Sequence, residues 1–322
     1  MIEFCDFSFS YGETKKVVLK NINLKINDGD FLGVIGSSGA GKTTLSYAIN
    51  GIIPHHYKGE YFGKVLVDGK DVYKTDACEL SLDIGSVFQD IDSQMTSATV
   101  EDEILFGMEN FGFEKNEIIS RLEWVLKEMG IENLRERDIS SLSGGQKQKV
   151  AIAAILSLRP KILVLDEPTG ELDPSASRNI FRILKELNEQ YGLTVIVIEQ
   201  KIKLLCEFAN HLAFLEKGNL KFFGTVKEVL SHHDELSDFG LNHKRTEREF
   251  VMKNDPIIKM ENITFGYDTN ALIDGVNFTV HKGDFLALTG ENGSGKSTMS
   301  KLLGGILKPK SGSVNVNGLD TK

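Results

Sequence analysis

Three short runs of the chain are almost continuously apolar and rich in β-branched residues: FLGVI at 31–35, ILVLD at 162–166 and TVIVI at 194–198. Strands buried on both faces of a parallel sheet read this way, because neither face meets water. A different period governs 117–129. There Ile118, Ile119, Leu122, Val125, Leu126 and Met129 fall on one helical face, and Gly130 follows as a residue able to end the helix. TTLSYAIN at 43–50 and KQKVAIAAILSL at 147–158 also read as helices. Strands alternating with helices predict an α/β core with right-handed crossovers. The longest nearly apolar run, Val150–Leu158, is about half of what a membrane-spanning helix needs.

The same pattern occurs twice. FSFSYG near the start is matched by ITFGYD at 263–268, and DGDFLGVIGSSGAGKTTL at 28–45 by KGDFLALTGENGSGKSTM at 282–299. GKVLVDGKD at 63–71 and GSVNVNGLD at 312–320 match again. A repeat of this size sets the organisation before any local reading. It predicts a complete domain over 1–235, a polar and charged linker over 236–255, and the N-terminal part of a second copy over 256–322. The first copy's sequence beyond residue 71 has no counterpart in the second copy.

Composition narrows the class. The chain has 322 residues, 41% hydrophobic and 26% charged, which is ordinary for a globular protein large enough to bury a core without disulfides. Its three cysteines, Cys5, Cys78 and Cys206, form no CxxC pair, which fits a reducing cytosol. A net charge of −9 gives no support to nucleic acid as the main partner, since phosphate backbones call for a basic field. MIEFCDFSFSYG at the N-terminus lacks a basic patch ahead of an apolar stretch, so no signal peptide is expected. If the protein acts at a membrane, another chain must span it.

The chemistry sits at the ends of the predicted strands. Gly36, Ser37, Ser38, Gly39, Ala40, Gly41, Lys42 and Thr43 fit GxxxxGK[ST] between a strand and a helix, with Thr44 next. Glycines there let backbone N–H groups curl around phosphates, and the helix start adds positive potential. Lys42 should reach the β- and γ-phosphates of ATP, and the Thr43 hydroxyl should ligate Mg²⁺. Gly290, Glu291, Asn292, Gly293, Ser294, Gly295, Lys296 and Ser297 repeat the loop, followed by Thr298, with Ser297 in the Mg²⁺ role. Asp166 and Glu167 close the ILVLD strand at the edge where ligands of open α/β sheets bind. Asp166 would hold Mg²⁺, directly or through water, and Glu167 would orient and deprotonate an attacking water. Ser143, Gly144, Gly145 and Gln146 precede a helix. Taken alone, that stretch is equally a serine-capped helix start or an anion site.

The ordered set of phosphate loop, Gln89, Leu142–Gln146 (LSGGQ), ILVLDEP and Leu172-Asp173 resembles the ABC-type ATPases, in full over 1–235 and in part over 256–322. That resemblance implies a P-loop NTPase fold: a mixed-sheet core, an N-terminal antiparallel β subdomain and a helical subdomain. It implies a head-to-tail pair of domains, each ATP held between the phosphate loop of one and the LSGGQ of the other. Within one chain, only the second phosphate loop and the first LSGGQ could pair. By the same analogy Tyr11 stacks on adenine, as Tyr267 would in the second copy. Gln89 senses the γ-phosphate and Mg²⁺, and Asp173 organises the domain interface. One departure concerns the position where the family usually has histidine: here it is Gln200. Glutamine can donate a hydrogen bond to phosphate but carries no titratable proton.

GIIPHHYKGEYFGKVLVDGKDV at 51–72, VFQDIDSQ at 87–94 and TVEDEILFG at 99–107 resemble the ATPase subunits of energy-coupling factor transporters, which import vitamins or metal ions. Ile91 stands where that group often has proline. The resemblance implies a transmembrane subunit and a substrate-binding membrane subunit as partners, a dimer of ATP-binding domains, and a peripheral place on the cytoplasmic face of the cell membrane. His55-His56 lacks further ligands at metal-site spacing and reads as a loop pair. Two other functions stay open on the sequence: a soluble ABC ATPase with a non-membrane partner, and a nucleotide-binding remnant with little turnover.

Overall fold

The structure, a computed structural model, describes residues 1–12, 16–232, 236 and 255–320. Of the expected linker over 236–255, only Leu236 and Asp255 fall among the described residues. By internal contacts the chain divides into two units, one holding most of residues 1–243 and the other 244–322 with a short excursion to 173–175.

The larger unit begins with β1 (Ile2–Tyr11), β2 (Val17–Ile26), β3 (Phe31–Gly36), α1 (Lys42–Ile49) and a short α2 (Ile52–His55). There follow β4 (Gly59–Val67), β5 (Lys70–Asp71), α3 (Ala77–Asp83), β6 (Ile84–Val87), α4 (Ile91–Gln94), α5 (Val100–Asn110) and α6 (Lys115–Met129). The remainder is α7 (Gly144–Leu156), β7 (Ile162–Asp166), α8 (Pro174–Tyr191), β8 (Thr194–Ile198), α9 (Ile202–Phe208), β9 (His211–Glu216), β10 (Asn219–Thr225) and α10 (Val226–Leu230).

All three runs expected as buried strands are strands, and they lie near the middle of a six-stranded sheet ordered β10-β9-β3-β8-β7-β6. Strands β9, β3, β8, β7 and β6 pair in parallel, and β10 joins β9 antiparallel, so the sheet is mixed. Alternate residues serve two separate cores. Phe31 and Ile35 of β3, Leu163 and Leu165 of β7, and Val195 and Val197 of β8 face the helices α5 to α8. Leu32 and Val34, Ile162 and Val164, and Ile196 and Ile198 face α1 and the second sheet. Apolar side chains on both faces are therefore a requirement of position. That second sheet is antiparallel, in the order β2-β1-β4-β5.

Helix α6 ends as expected, with Gly130 in the left-handed region at φ 59°. The expected apolar face is narrower than the sequence suggests. Leu122, Val125, Leu126 and Met129 are buried, but Ile119 is exposed. A surface helix needs only a stripe about 100° wide against its core, and Ile119 lies at the margin of it. Arg135, from the turn after α6, donates to both Glu101 oxygens at 2.9 and 2.7 Å and to Glu123 at 2.7 Å, tying α5 to α6.

The smaller unit contains β11 (Pro256–Phe265), β12 (Ile273–His281), α11 (Lys296–Leu303), β13 (Ser311–Val316) and β14 (Leu319–Asp320). Its sheet runs β12-β11-β13-β14, antiparallel throughout, repeating the order of the first unit's antiparallel sheet. One run differs between the copies. FLGVI is strand β3, whereas Phe285–Thr289 (FLALT) forms no strand, with Phe285 at 92% exposure. In the larger unit β3 is bonded on both sides by β8 and β9. Among the described residues the smaller unit offers no equivalent of either, and a parallel strand without neighbours has no partners for its backbone.

Candidate functional site

Register sets the site. Val34 of β3 pairs with Ile198 of β8, and Ile198 pairs with Asp166 of β7, so the carboxyl ends of three central strands lie level. The loops leaving those ends carry Gly36–Lys42, Glu167 and Gln200.

The phosphate loop depends on backbone conformations that side chains resist. Gly36, Gly39 and Gly41 have φ of 152°, 75° and 102°. A Cβ on Gly36 would sit 2.2 Å from the Leu215 carbonyl oxygen, and one on Gly41 would sit 2.7 Å from the Leu19 side chain. Helix α1 starts at Lys42 with no side chain capping its first turn, while Ser37, Ser38 and Gly39 are exposed. Free N–H groups, a helix dipole and an open loop suit a bound phosphate. The Lys42 ammonium folds over the loop, donating to the Gly36 and Ser37 carbonyls at 2.8 and 3.0 Å. Burial pushes its pKa down, opposed by the charges of Glu167 and Asp166.

Asp166 is buried, and burial raises its pKa above the usual carboxylate range. The Thr43 hydroxyl, bonded to it, opposes that shift, as does Lys42. A carboxylate and a hydroxyl side by side at the phosphate loop form a hard-oxygen donor pair, the chemistry that Mg²⁺ takes alongside phosphate oxygens. The donor set at Thr43 and Asp166 therefore fits that ion.

Glu167 sits in the left-handed region at φ 48°, its N–H bonded to the Ile198 carbonyl at 2.8 Å. Two side-chain amides bracket its carboxylate. Gln200 Nε2 donates to Oε1 at 2.7 Å and Gln89 Nε2 to Oε2 at 3.3 Å. Glu167, Gln89 and Gln200 also line a cavity of about 820 Å³ whose other wall includes Gly144, Lys147 and Gln148 of α7. At the start of α7, Ser143 and Gln146 form a capping box: the Ser143 Oγ accepts from the Gln146 N–H, and the Gln146 Oε1 accepts from the Ser143 N–H at 3.0 Å. The stretch is a serine-capped helix start whose Ser143 and Gly144 are exposed.

Tyr11 bonds the Thr44 hydroxyl at 3.1 Å and meets Phe9 and Tyr57 edge-on, half-buried between them. Burial raises its pKa. In the smaller unit Tyr267 pairs with Thr298 at 3.4 Å, and Lys296 donates to Gly290 and Glu291 carbonyls at 2.8 and 2.7 Å. Gly290, Gly293 and Gly295 have φ of 152°, 84° and 89°, so Gly290–Ser297 repeats the first loop. His55 Nε2 lies 3.1 Å from the Val72 carbonyl, a backbone contact.

Thus the structure gathers Gly36–Thr44, Asp166, Glu167, Gln89 and Gln200 at one edge, and of the Ser143–Gln146 stretch Gly144 lines the cavity that Glu167, Gln89 and Gln200 share. Sequence reasoning assigned no role to Tyr47 and Tyr57, whose rings stack 5.6 Å apart beside Tyr11. It also left out Glu199, Lys201 and Thr169. The signal for Glu199 was available: a carboxylate directly continues the apolar run TVIVI, where burial is expected.

A family model described as ABC transporter matches residues 19–170 and 273–322. A Methanosarcina mazei protein named as an ABC transporter ATP-binding protein is 40% identical over 325 residues, covering 100% of this chain and 64% of its own length. A Pyrococcus horikoshii protein of the same description is 40% identical over 241 residues, 75% of this chain and 85% of that one. Among solved structures, cbiO1 of Clostridium perfringens, described as part of the ABC transporter complex cbiONQ, has 32% identity and a TM-score of 0.66. It covers 76% of this chain and 96% of its own. A dimeric ATP-binding cassette in a post-hydrolysis state with ADP and Pi has 29% identity and a TM-score of 0.61, over 70% of this chain and 99% of that one. The chain spans 62 to 64% of the length of three Methanosarcina relatives that match it throughout.

Proposed function

The chain belongs to the ABC transporter family of ATP-binding proteins, and from that premise we propose that it binds and hydrolyses MgATP to power a membrane importer. The observation that carries the reading is the Glu167 carboxylate held between the Gln89 and Gln200 amides, beside Asp166 and at the mouth of the phosphate loop.

In this reading the loop 36–43 wraps the triphosphate with backbone N–H groups. Lys42 exchanges its carbonyl bonds for the β- and γ-phosphates. Thr43, Asp166 and Gln89 would hold Mg²⁺, which would supply charge neutralisation for the transferring phosphoryl group. Glu167 takes the proton of the attacking water, a role worth typically 10²–10⁴-fold. Gln200 orients Glu167 and bonds the γ-phosphate, in the place where the family usually has histidine. Ser143 and Gly144–Gln146, supplied by another domain, cover the nucleotide. A dimer of first domains from two chains provides two such covers, a reading supported by similarity to a cassette solved as a dimer. The second phosphate loop, Gly290–Ser297, with Tyr267 belongs to the second copy proposed over 256–322.

The finer assignment is an energy-coupling factor type importer of a vitamin or metal ion, with a transmembrane subunit and a substrate-binding membrane subunit. Its support is the set of motifs at 51–107 together with likeness to a subunit of cbiONQ. No described helix is long and apolar enough to cross a membrane, so the proposed place is peripheral, on the cytoplasmic face, through those partners. Replacing Glu167 by Gln should lower ATP turnover by at least about 10²-fold while MgATP binding persists. An unchanged hydrolysis rate in that variant would remove Glu167 from its role.

A further inference from the structure

Gln200 is flanked by two charged residues whose side chains both engage the loop that follows Glu167. Glu199, directly after β8, is a carboxylate at 1% exposure. Such a group is costly to bury unless its oxygens are paired. Here the Thr169 hydroxyl donates to Oε2, and the N–H groups of Gln200 and Lys201 donate to Oε1 at 2.9 and 3.3 Å. Thr169 is itself fully buried.

Lys201 grips the same loop from the other side. Its ammonium donates to the carbonyls of Thr169 and Leu172 at 2.5 and 3.3 Å and to the Ser177 hydroxyl at 3.0 Å. Those bonds account for all three ammonium protons. None of them reaches the phosphate loop. Their common effect is on the spacing between segment 199–201, which carries the Gln200 amide, and segment 167–172, which begins with the Glu167 carboxylate. Gln200 is exposed and its side chain is held at its tip by Glu167; its backbone N–H is held by Glu199. A displacement of about 1 Å in such a pair is enough to cost on the order of 10²-fold in rate.

We propose that Glu199 and Lys201 are positioning residues for hydrolysis, clamping segment 167–172 to segment 199–201 so that Glu167 and Gln200 stay in register. The inference rests on reading Glu167 as the residue that activates water. The clamp acts on turnover and leaves nucleotide affinity to the phosphate loop. It also fixes Leu172, the residue preceding Asp173, so the same bonds steady the segment that the family uses at its domain interface.

The test is steady-state ATPase kinetics on the full chain, the wild type measured first. Lys201→Met keeps the stem and removes three donors. It should lower kcat on the order of 10-fold with KM for MgATP within about 2-fold, and Lys201→Arg should recover most of the loss. In a Gln200→Ala background, Lys201→Met should cost less than about 2-fold more, because the residue it acts through is gone. Glu199→Gln provides a second route to the same result if Lys201→Met does not fold. Wild-type turnover in Lys201→Met, or losses that simply multiply in the double variant, would overturn the clamp and leave the ATPase reading standing. A wild-type chain that binds MgATP without hydrolysing it would overturn both.

Discussion

At the level of single residues, the site is built from groups held in unfavourable surroundings. Asp166 is buried with its pKa raised by that burial. A carboxylate whose pKa is higher in the folded state stabilises the fold below its unfolded value, and that contribution is lost as pH rises through the folded value. At neutral pH and without Mg²⁺, Asp166 is therefore a net cost to the fold. Asp166→Asn should raise the melting temperature near pH 7, with the gain shrinking as pH falls toward about 4, and thermal denaturation across pH checks it. The phosphate loop stores a second constraint. Gly36→Ala would force a Cβ to within 2.2 Å of the Leu215 carbonyl at φ 152°, and should destabilise by at least about 1–3 kcal/mol in denaturant titration. Gln200 has no proton to titrate. Gln200→His should introduce an inflection near or above about pH 6.5 in the kcat profile, absent from the wild type.

Elements place these residues. Helix α7 presents its start because Ser143 and Gln146 close a capping box. Ser143→Ala should cost about 1 kcal/mol of stability, read as a fall in denaturation midpoint, apart from any effect on ATP turnover. Helix α6 was legible in the sequence through its apolar period and Gly130, yet Ile119 misled because periodicity gives a direction and not the width of the buried stripe. Leu126, fully inside that stripe, should cost about 2–5 kcal/mol on replacement by Ala. The runs FLGVI, ILVLD and TVIVI were readable for a different reason: each strand supplies two cores, so no position could be polar without expense. The identical logic applied to FLALT would mislead, since among the described residues it has no strand beside it. A strand is a property of a pair.

For the molecule as a whole, the proposed function calls for a cover supplied by another domain. If two first domains assemble from two chains, the specific ATPase rate should rise with protein concentration and level off as dimers saturate. A rate strictly proportional to protein, with no dimer by sedimentation, would count against assembly in trans. By itself the sequence determined the chemistry and its order along the chain. A glycine-rich loop, paired Asp166 and Glu167, and a capped glycine stretch are local signals, each complete within a few residues. Only the tertiary structure decided who meets whom. The level ends of β3, β7 and β8 bring Gln200 to Glu167 at 2.7 Å across 33 positions of chain, and they turn Glu199 and Lys201 inward onto Thr169 and Leu172. Those contacts arise from strand register and crossover connections, which are long-range pairings that no local pattern encodes.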